Sequence, residues 1–322
     1  MFGKKQIVNL EIRDYVIRFS ESNVSSTSNV ERIGEHFLPS GIIVNGVIEK
    51  GEAFLKILKT CVKKWKLKGK SVRLTLPEAV VIVRKQDIPA DIKKDQINQH
   101  IQFQLGETIH LPFERPIVRT IYLNEEEGSH TVSLISTDEQ LVSRYTELLH
   151  EAKLKVIAAD LSSFNYYRVF HQQQLVDAMD HVLFMQYYVD HVVFSAFHNH
   201  TPIFLQEFDL EAGAETSAQL GPTMSKEDFH EEVVLEELDD ISTEIERIER
   251  FYQYSMNQDE QRFTKIAVAG DHPFMNEIIS QMKESNEIPV IHLEDNRIQG
   301  PKGLTLEQKF HSVYGLALKG GQ

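Results

Sequence analysis

The chain has 322 residues, 41% of them hydrophobic and 25% charged, with a formal net charge of −14. That is the balance of a soluble globular chain about two domains long, and it excludes wholesale disorder and a fibrous repeat. No run approaches the roughly 18 apolar residues of a membrane-spanning helix, and the opening MFGKKQIVNLEI lacks the apolar stretch of a signal peptide. A cytoplasmic protein is expected, and the acidic balance argues against a nucleic-acid partner.

Ile7 to Phe19 reads as strand material that alternates at Val8, Leu10 and Ile12 and turns at Arg13-Asp14 into a second strand. Residues 20–30, SESNVSSTSNV, read as a polar loop. Asn45-Gly46 between two β-branched runs predicts a hairpin, because both residues accept positive φ. Phe54, Ile57, Leu58, Cys61, Val62 and Trp65 then fall at helical spacing, with Lys56, Lys59, Lys63 and Lys66 on the rest of the cylinder. Cys61, the single cysteine, reads as a small buried hydrophobe on that stripe, with a reactive thiol as the alternative.

Residues 72–76 and 79–85 read as strands separated by Pro77, and 95–105 as a helix with Ile97, Ile101 and Leu105 four apart. Strands over 117–123 and 131–136 precede a helix over 138–152, where Ser136 and Glu139 have capping-box spacing. A strand from Lys155 closes this half. The apolar run 182–197 reads as one arm of a hairpin that turns at His198-Asn199-His200 and returns from Pro202 to Phe208. A loop over 213–232 and a helix over 233–256 follow. A strand at 265–269 runs into Gly270-Asp271, and a helix at 274–284, a strand at 288–293 and a helix at 306–318 complete the chain. Each half opens with a hairpin and continues with strand–helix units, which favours a duplicated α/β architecture over one doubly wound sheet.

Conventional catalytic motifs are absent: no Walker A, GxGxxG, GxSxG or HExxH sequence occurs. His198-Asn199-His200 has no acid or cysteine to support it and reads as an exposed turn. Asp180-His181 and Asp190-His191 are adjacent strand residues pointing to opposite faces, so neither carboxylate is expected to orient its neighbour. Glu11 and Asp14, three apart, share no face. Seven lysines and no acids lie from Lys56 to Lys70, and eleven acids against one arginine from Glu227 to Glu249. Both read as solvated faces, or, for the lysines, as a surface resting near anionic lipid heads.

Five stretches, in order, carry a resemblance. They are Leu38-Pro-Ser-Gly-Ile-Ile-Val-Asn-Gly-Val-Ile; residues 72–89, VRLTLPEAVVIVRKQDIP; Leu148-Leu-His-Glu-Ala-Lys-Leu with Ala158-Ala-Asp-Leu; Glu244-Ile-Glu-Arg-Ile-Glu-Arg-Phe-Tyr with Ile266-Ala-Val-Ala-Gly; and Val313-Tyr-Gly-Leu-Ala-Leu-Lys. Together they resemble the type IV pilus assembly protein PilM family, actin-like ATPases related to the division protein FtsA.

The resemblance implies an α/β, actin-like, bilobed fold: a first lobe over 1–175 with an inserted subdomain about 78–155, and a second lobe over 176–322 with a mostly helical insertion about 213–262. It also implies a cleft for ATP and Mg²⁺, where glycine turns let main-chain N–H groups reach phosphate. This sequence departs there. The first loop reads Glu11-Ile-Arg-Asp-Tyr-Val-Ile-Arg18, with Arg13 and Asp14 in place of glycine and a small residue, and Arg13 is placed to fill the phosphate space. The second has Gln186 where the family carries aspartate, and the adenosine turn keeps Gly270 followed by Asp271. A vestigial nucleotide cleft, with no cofactor, is expected.

The resemblance thus implies a non-catalytic scaffold, peripheral to the inner face of the cell membrane. Its partner would be the cytoplasmic tail of a PilN-like inner-membrane protein, alongside other pilus assembly proteins. The tail is expected in a groove walled by Val81, Val83, Ile97, Ile101 and Leu105, with Lys56, Lys59, Lys63, Lys66 and Lys68 toward the membrane. The alternative is an active ATPase of the same machine that binds ATP and Mg²⁺.

Overall fold

The computed structural model describes residues 6–23, 26–126, 128–210, 224–257, 260–294, 297–303 and 305–320. The first half contains β1 (Gln6–Ile12), β2 (Val16–Asn23), β3 (Ser26–Phe37), the short β4 (Ile43–Val44) and β5 (Val47–Ile48), α1 (Gly51–Trp65) and β6 (Ser71–Leu76). Next come β7 (Val81–Pro89), α2 (Ile97–Gln104), β8 (Pro116–Glu126), β9 (Ser129–Asp138), α3 (Glu139–Glu151), β10 (Lys155–Leu161) and α4 (Ser162–Gln172). The second half has β11 (Val182–Tyr187), β12 (His191–His198), β13 (Thr201–Asp209), α5 (Glu231–Arg250), β14 (Lys265–Gly270), α6 (Met275–Ser285), β15 (Val290–His292) and α7 (His311–Ala317).

The duplication is visible in the topology. One sheet has the order β10-β6-β1-β2-β3 and the other β13-β12-β11-β14-β15. In each, three consecutive antiparallel strands are extended by two parallel ones. The parallel members reach their places through helices, as a parallel pair requires. α1 buries Phe54, Leu58, Cys61, Val62 and Trp65 against the first sheet, with Phe54, Leu58 and Val62 each worth about 1.5–3 kcal/mol against exposure. α5 and α6 cover the second sheet through Ile241, Ile245 and Ile278. A third core, with Tyr166 and Phe170 of α4, Phe184, Phe197 and Val313, joins the two lobes.

The insert is a three-stranded antiparallel sheet, β7-β9-β8, with α2 on one face. α3, assigned to it from sequence, instead packs on α1 and gives Tyr145, Leu148 and Leu149 to the first lobe's core. The end of the chain also departs from the expected boundary. α7 lies on the first lobe, where Ser20 Oγ donates to the Val313 carbonyl at 2.9 Å and Arg73 Nη1 to that of Ala317 at 3.0 Å. Gly315 permits the contact with α4: a Cβ there would stand 2.0 Å from the Asn165 carbonyl oxygen.

The serine-rich stretch read as a loop is mostly strand, because β2 runs to Asn23 and β3 begins at Ser26; residues 24 and 25 lie outside the described residues. The polar end of β2 is buried and paired: Glu21 meets Arg32 at 2.9 Å and also Lys70, and Ser20 Oγ takes the Asn9 amide at 3.2 Å. Polarity misled there because the partners are distant in sequence. α4, SSFNYYRVFHQ, was not anticipated, since its aromatics face two lobes and leave no single apolar stripe. The run 182–197 is itself a hairpin that breaks at Tyr188–Asp190, where Tyr188 N donates to the His191 carbonyl at 2.9 Å. The cap of α3 is Asp138, which accepts from Gln140 N at 2.9 Å; Ser136 sits inside β9. Of the loop read over 213–232, residues up to 223 lie outside the described residues.

Candidate functional site

The shared topology brings three turns together between the lobes: Arg13-Asp14-Tyr15 after β1, Tyr188-Val189-Asp190 after β11, and Gly270-Asp271 after β14. Side chains fill the space where they meet. The Arg13 guanidinium lies 3.4 Å from the centre of the Tyr188 ring and donates to Glu11 Oε1 at 2.9 Å. The Tyr15 hydroxyl donates to both oxygens of Asp271, at 2.7 and 2.9 Å. Arg18, fully buried, pairs with Asp271 through Nη1 and reaches Glu35 through Nε at 3.3 Å. Burial alone would raise the Asp271 carboxyl, but the guanidiniums of Arg18 and Arg13 outweigh it and hold Asp271 below the usual aspartate range. Burial, and then the Asp271 charge, push the Tyr15 phenol far up.

Gln186 is fully buried, and its role is structural. Its carbonyl accepts from Ser162 Oγ at 2.5 Å and from the Tyr188 hydroxyl at 2.9 Å, and its amide donates to Ser163 Oγ at 2.9 Å. The position thus ties β11 to the first residues of α4. Gly270, at φ +145°, is required by packing: a Cβ would stand 1.9 Å from the Tyr187 carbonyl oxygen, its partner in the β11–β14 register.

Beside this plug lies a cavity of about 520 Å³, bounded by the β1–β2 turn, the β4–β5 hairpin, the Thr75–Ala79 segment and the second lobe's β12 and β13. Asp14 on its wall accepts from Gly46 N at 3.0 Å, and burial followed by the nearby Asp190 charge raises its carboxyl. Glu78 accepts from Ser162 N at 2.6 Å, placing a carboxylate at the start of α4. His191 Nδ1 lies 2.7 Å from Asp190 Oδ1, which overturns the expectation that these neighbours face apart. Asp190 belongs to the turn, where strand alternation does not hold. Burial would lower the His191 imidazole, but Asp190 lifts it to about 9; burial lifts Glu207 to about 7.

Of the residues expected in the cleft, Glu11, Arg13, Arg18 and Asp271 join the plug, Gln186 and Gly270 flank it, and Asp14 faces the cavity. Sequence reasoning missed Tyr15, Tyr188, His191 and Glu207; the aromatic at each hairpin tip was the signal for the first two. The five groove residues do not line a common groove. Val81 and Val83 enter the first lobe's core, whereas Ile97 and Ile101 pack with Ile88, Val132 and Leu134, and Leu105 rests on that second cluster. The two sets use opposite faces of the insert's sheet, because strand alternation points Val81 and Val83 away from Ile88. Lys56, Lys59, Lys63, Lys66 and Lys68 are all exposed. Cys61 is buried, and burial lifts its thiol to about 11. His200, in the exposed turn, has its Nδ1 2.8 Å from the Tyr167 hydroxyl.

Among solved structures, the chain resembles the PilM-PilN type IV pilus biogenesis complex, with a TM-score of 0.77 at 14% identity over 98% of both chains. It resembles the ethanolamine utilization protein EutJ from Carboxydothermus hydrogenoformans with a TM-score of 0.52 at 9% identity, over 97% of this chain and 89% of that one. MreB5 of Spiroplasma citri bound to ADP also gives 0.52 at 9% identity, over 98% and 95%. These likenesses establish an actin-like fold. No curated protein sequence matches the chain. Residues 11–215 match the profile of the type IV pilus assembly protein PilM, and with that match spanning well over half its length, the chain belongs to the PilM family.

Proposed function

We propose that this chain is a non-catalytic scaffold of a type IV pilus or related assembly machine, holding the cytoplasmic tail of a PilN-like inner-membrane protein. The observation that carries the reading is the plug of Arg13, Tyr15, Arg18 and Asp271 between the lobes. A triphosphate needs free main-chain N–H groups and close backbone approach. Here Arg13 covers Tyr188 at the tip of the second hairpin, and Asp271 is committed to two partners. Gln186 brings no charge to hold Mg²⁺, and the neighbouring cavity presents carboxylates, which repel phosphate. These residues do not fit ATP with Mg²⁺, and no observation favours the ATPase alternative.

The partner is inferred from family membership and from the likeness to the solved complex of PilM with PilN. The lysine face of α1 supports a position against anionic lipid at the cytoplasmic membrane face: its lysines are exposed, and Glu52 is the helix's single acid. No helix among the described residues is long and apolar enough to cross a membrane. The test is capture of a membrane protein's cytoplasmic tail by the purified chain, together with thermal unfolding in ATP–Mg²⁺. A captured tail with an unmoved Tm supports the reading; a saturable rise in Tm with millimolar ATP overturns its non-catalytic part.

A further inference from the structure

α1 and α5 present exposed faces of opposite charge. On α1, Lys56, Lys59, Lys63 and Lys64 are exposed, and none has an ion-pair partner among the described residues. On α5, Glu232, Glu236, Asp239 and Asp240 are exposed in the same way; that helix's own ion pairs lie further on, at Glu244 and Glu246. Like charges three or four residues apart repel along each helix, as between Lys59 and Lys63 or between Glu232 and Glu236. An outside charge of opposite sign relieves that repulsion. The layers of the fold put the two faces on opposite flanks. Val8, Leu10 and Leu74 turn one face of the first sheet to α1, while Ser20 on the other face bonds α7. Phe184 and Ala267 turn one face of the second sheet to α4 and α7, and Leu183, Ile266 and Val268 turn the other to α5. From flank to flank the order is α1, first sheet, α4 with α7, second sheet, α5.

We infer that copies of this chain associate in rows, the α1 flank of one against the α5 flank of the next. A second copy brings both missing halves, acids for α1 and lysines for α5. The spacing matches, because Lys56, Lys59 and Lys63 recur along one face over about two turns, as do Glu232, Glu236 and Asp239. Shape adds to charge. A shallow groove on α1 is lined by Leu55, Lys56, Lys59 and Lys63, and Val233 of α5, 37% exposed, shares a helical face with Glu236 and Asp240. Val233 enters the groove, and the two acids meet its lysines. With the faces on opposite flanks the contact is heterologous: it leaves one face open at each end and does not close into a two-fold dimer. The inference goes beyond the scaffold reading, and anionic lipid is the competitor for α1.

Exposed ion pairs are individually weak and screened by salt, so association is expected at high protein concentration and low ionic strength. Sedimentation velocity on the full chain at about 0.01 M salt, where screening sets in over about 30 Å, should show mass growing past the dimer with concentration. At about 1 M, where that length is about 3 Å, the chain should return to monomer. Lys56→Glu with Lys59→Glu and Lys63→Glu should be monomeric at low salt, as should Glu232→Lys with Glu236→Lys and Asp239→Lys. An equimolar mixture of the two variants should associate again, because each supplies the charge that the other has reversed. All the substituted positions are exposed, and circular dichroism verifies that both variants fold. A monomeric wild type at low salt, a plateau at the dimer, either variant associating alone as the wild type does, or a mixture that stays monomeric overturns the proposal. Phosphatidylserine vesicles should draw the wild type out of its rows. Vesicles that bind the chain and leave the rows intact remove α1 from the contact and overturn the proposal as well. The scaffold reading is decided separately, by capture of a membrane-protein tail.

Discussion

The hydroxyl of Tyr15 and the carboxylate of Asp271, 256 positions apart in sequence, meet at 2.7 Å between the lobes. Tyr15 belongs to the first hairpin's turn and Asp271 to the end of the second sheet's β14, so the bond is a clasp across the cleft. Arg18 reinforces it from beneath. Replacing Asp271 by alanine leaves a fully buried guanidinium with the 3.3 Å contact to Glu35 and the more distant charge of Glu11, and breaking such a pair costs about 3–5 kcal/mol. Urea unfolding of Asp271→Ala should show a loss of that size. Tyr15→Phe, which removes the hydroxyl's bond to an ionised carboxylate and keeps the ring, should lose about 1.5–3 kcal/mol. Equal losses in the two variants would show that the ion pair contributes little.

The same corner sets an acid limit. His272 is buried, and its Nδ1 accepts from Phe274 N at 3.2 Å, so the ring is neutral in the fold; burial lowers its pKa to about 4. An unfolded histidine titrates near 6.5, at about which the unfolded chain starts to bind more protons than the folded one. Stability from this group is therefore complete above about pH 6.5 and lost as pH falls toward about 4. Asp271, also lowered, adds a second loss below the unfolded aspartate value of about 3.9. In His272→Asn, the slope of unfolding free energy between pH 6.5 and 4.5 should flatten by up to about one proton's worth.

Gly270→Ala should be severely destabilising, because both its φ of +145° and the Tyr187 carbonyl at 1.9 Å from a new Cβ oppose the substitution. Clashes of this kind cost about 1–3 kcal/mol or more. The expected readout is a lowered urea midpoint with an unchanged slope. A wild-type midpoint would mean that β11 and β14 separate easily at their ends.

Cys61 should behave as a packed hydrophobe. With its thiol lifted to about 11 by burial, it holds almost no thiolate at neutral pH. Reaction with an aromatic disulfide reagent should be far slower in the native chain than in urea. A native rate near the denatured one would return Cys61 to the reactive-thiol alternative.

Changing Lys56, Lys59, Lys63, Lys66 and Lys68 to glutamine should abolish flotation with phosphatidylserine vesicles at low salt. Each lysine near such a surface contributes about 1 kcal/mol, and salt screens it. Absence of flotation by the wild-type chain at low salt would make the lysine face a solvated surface only.

Legibility in the sequence followed the range of the forces involved. Local turn chemistry was readable: Asn45 and Gly46 adopt φ of 48° and 73° and join β4 to β5 as the pair predicts. So was the one-sided stripe of α1, because a helix facing one core repeats with one period. α4 was not, since burial on two sides erases the period. Ser20, Glu21 and Ser22 read as loop because the partners of their polar groups, Asn9, Arg32 and Val313, are distant in sequence. In the cleft, the substitutions at Arg13 and Gln186 were visible as departures from the family pattern, but their partners were not. Tyr188 and Ser162 meet them only once the lobes are assembled.

The return of α7 to the first lobe has a consequence for synthesis. The first sheet needs Val313 and Ala317 to satisfy Ser20 and Arg73, and these lie 293 and 244 positions later in the chain. The amino-terminal half therefore leaves the ribosome with part of one sheet face uncovered, and it stays so until α7 has emerged. Ribosome-bound chains stalled near residue 300 should remain protease-sensitive in both halves, and chains extended until α7 has emerged should gain protection in both together. Native first-lobe protection before residue 311 emerges would show that the carboxy-terminal helix is an addition to a lobe already folded.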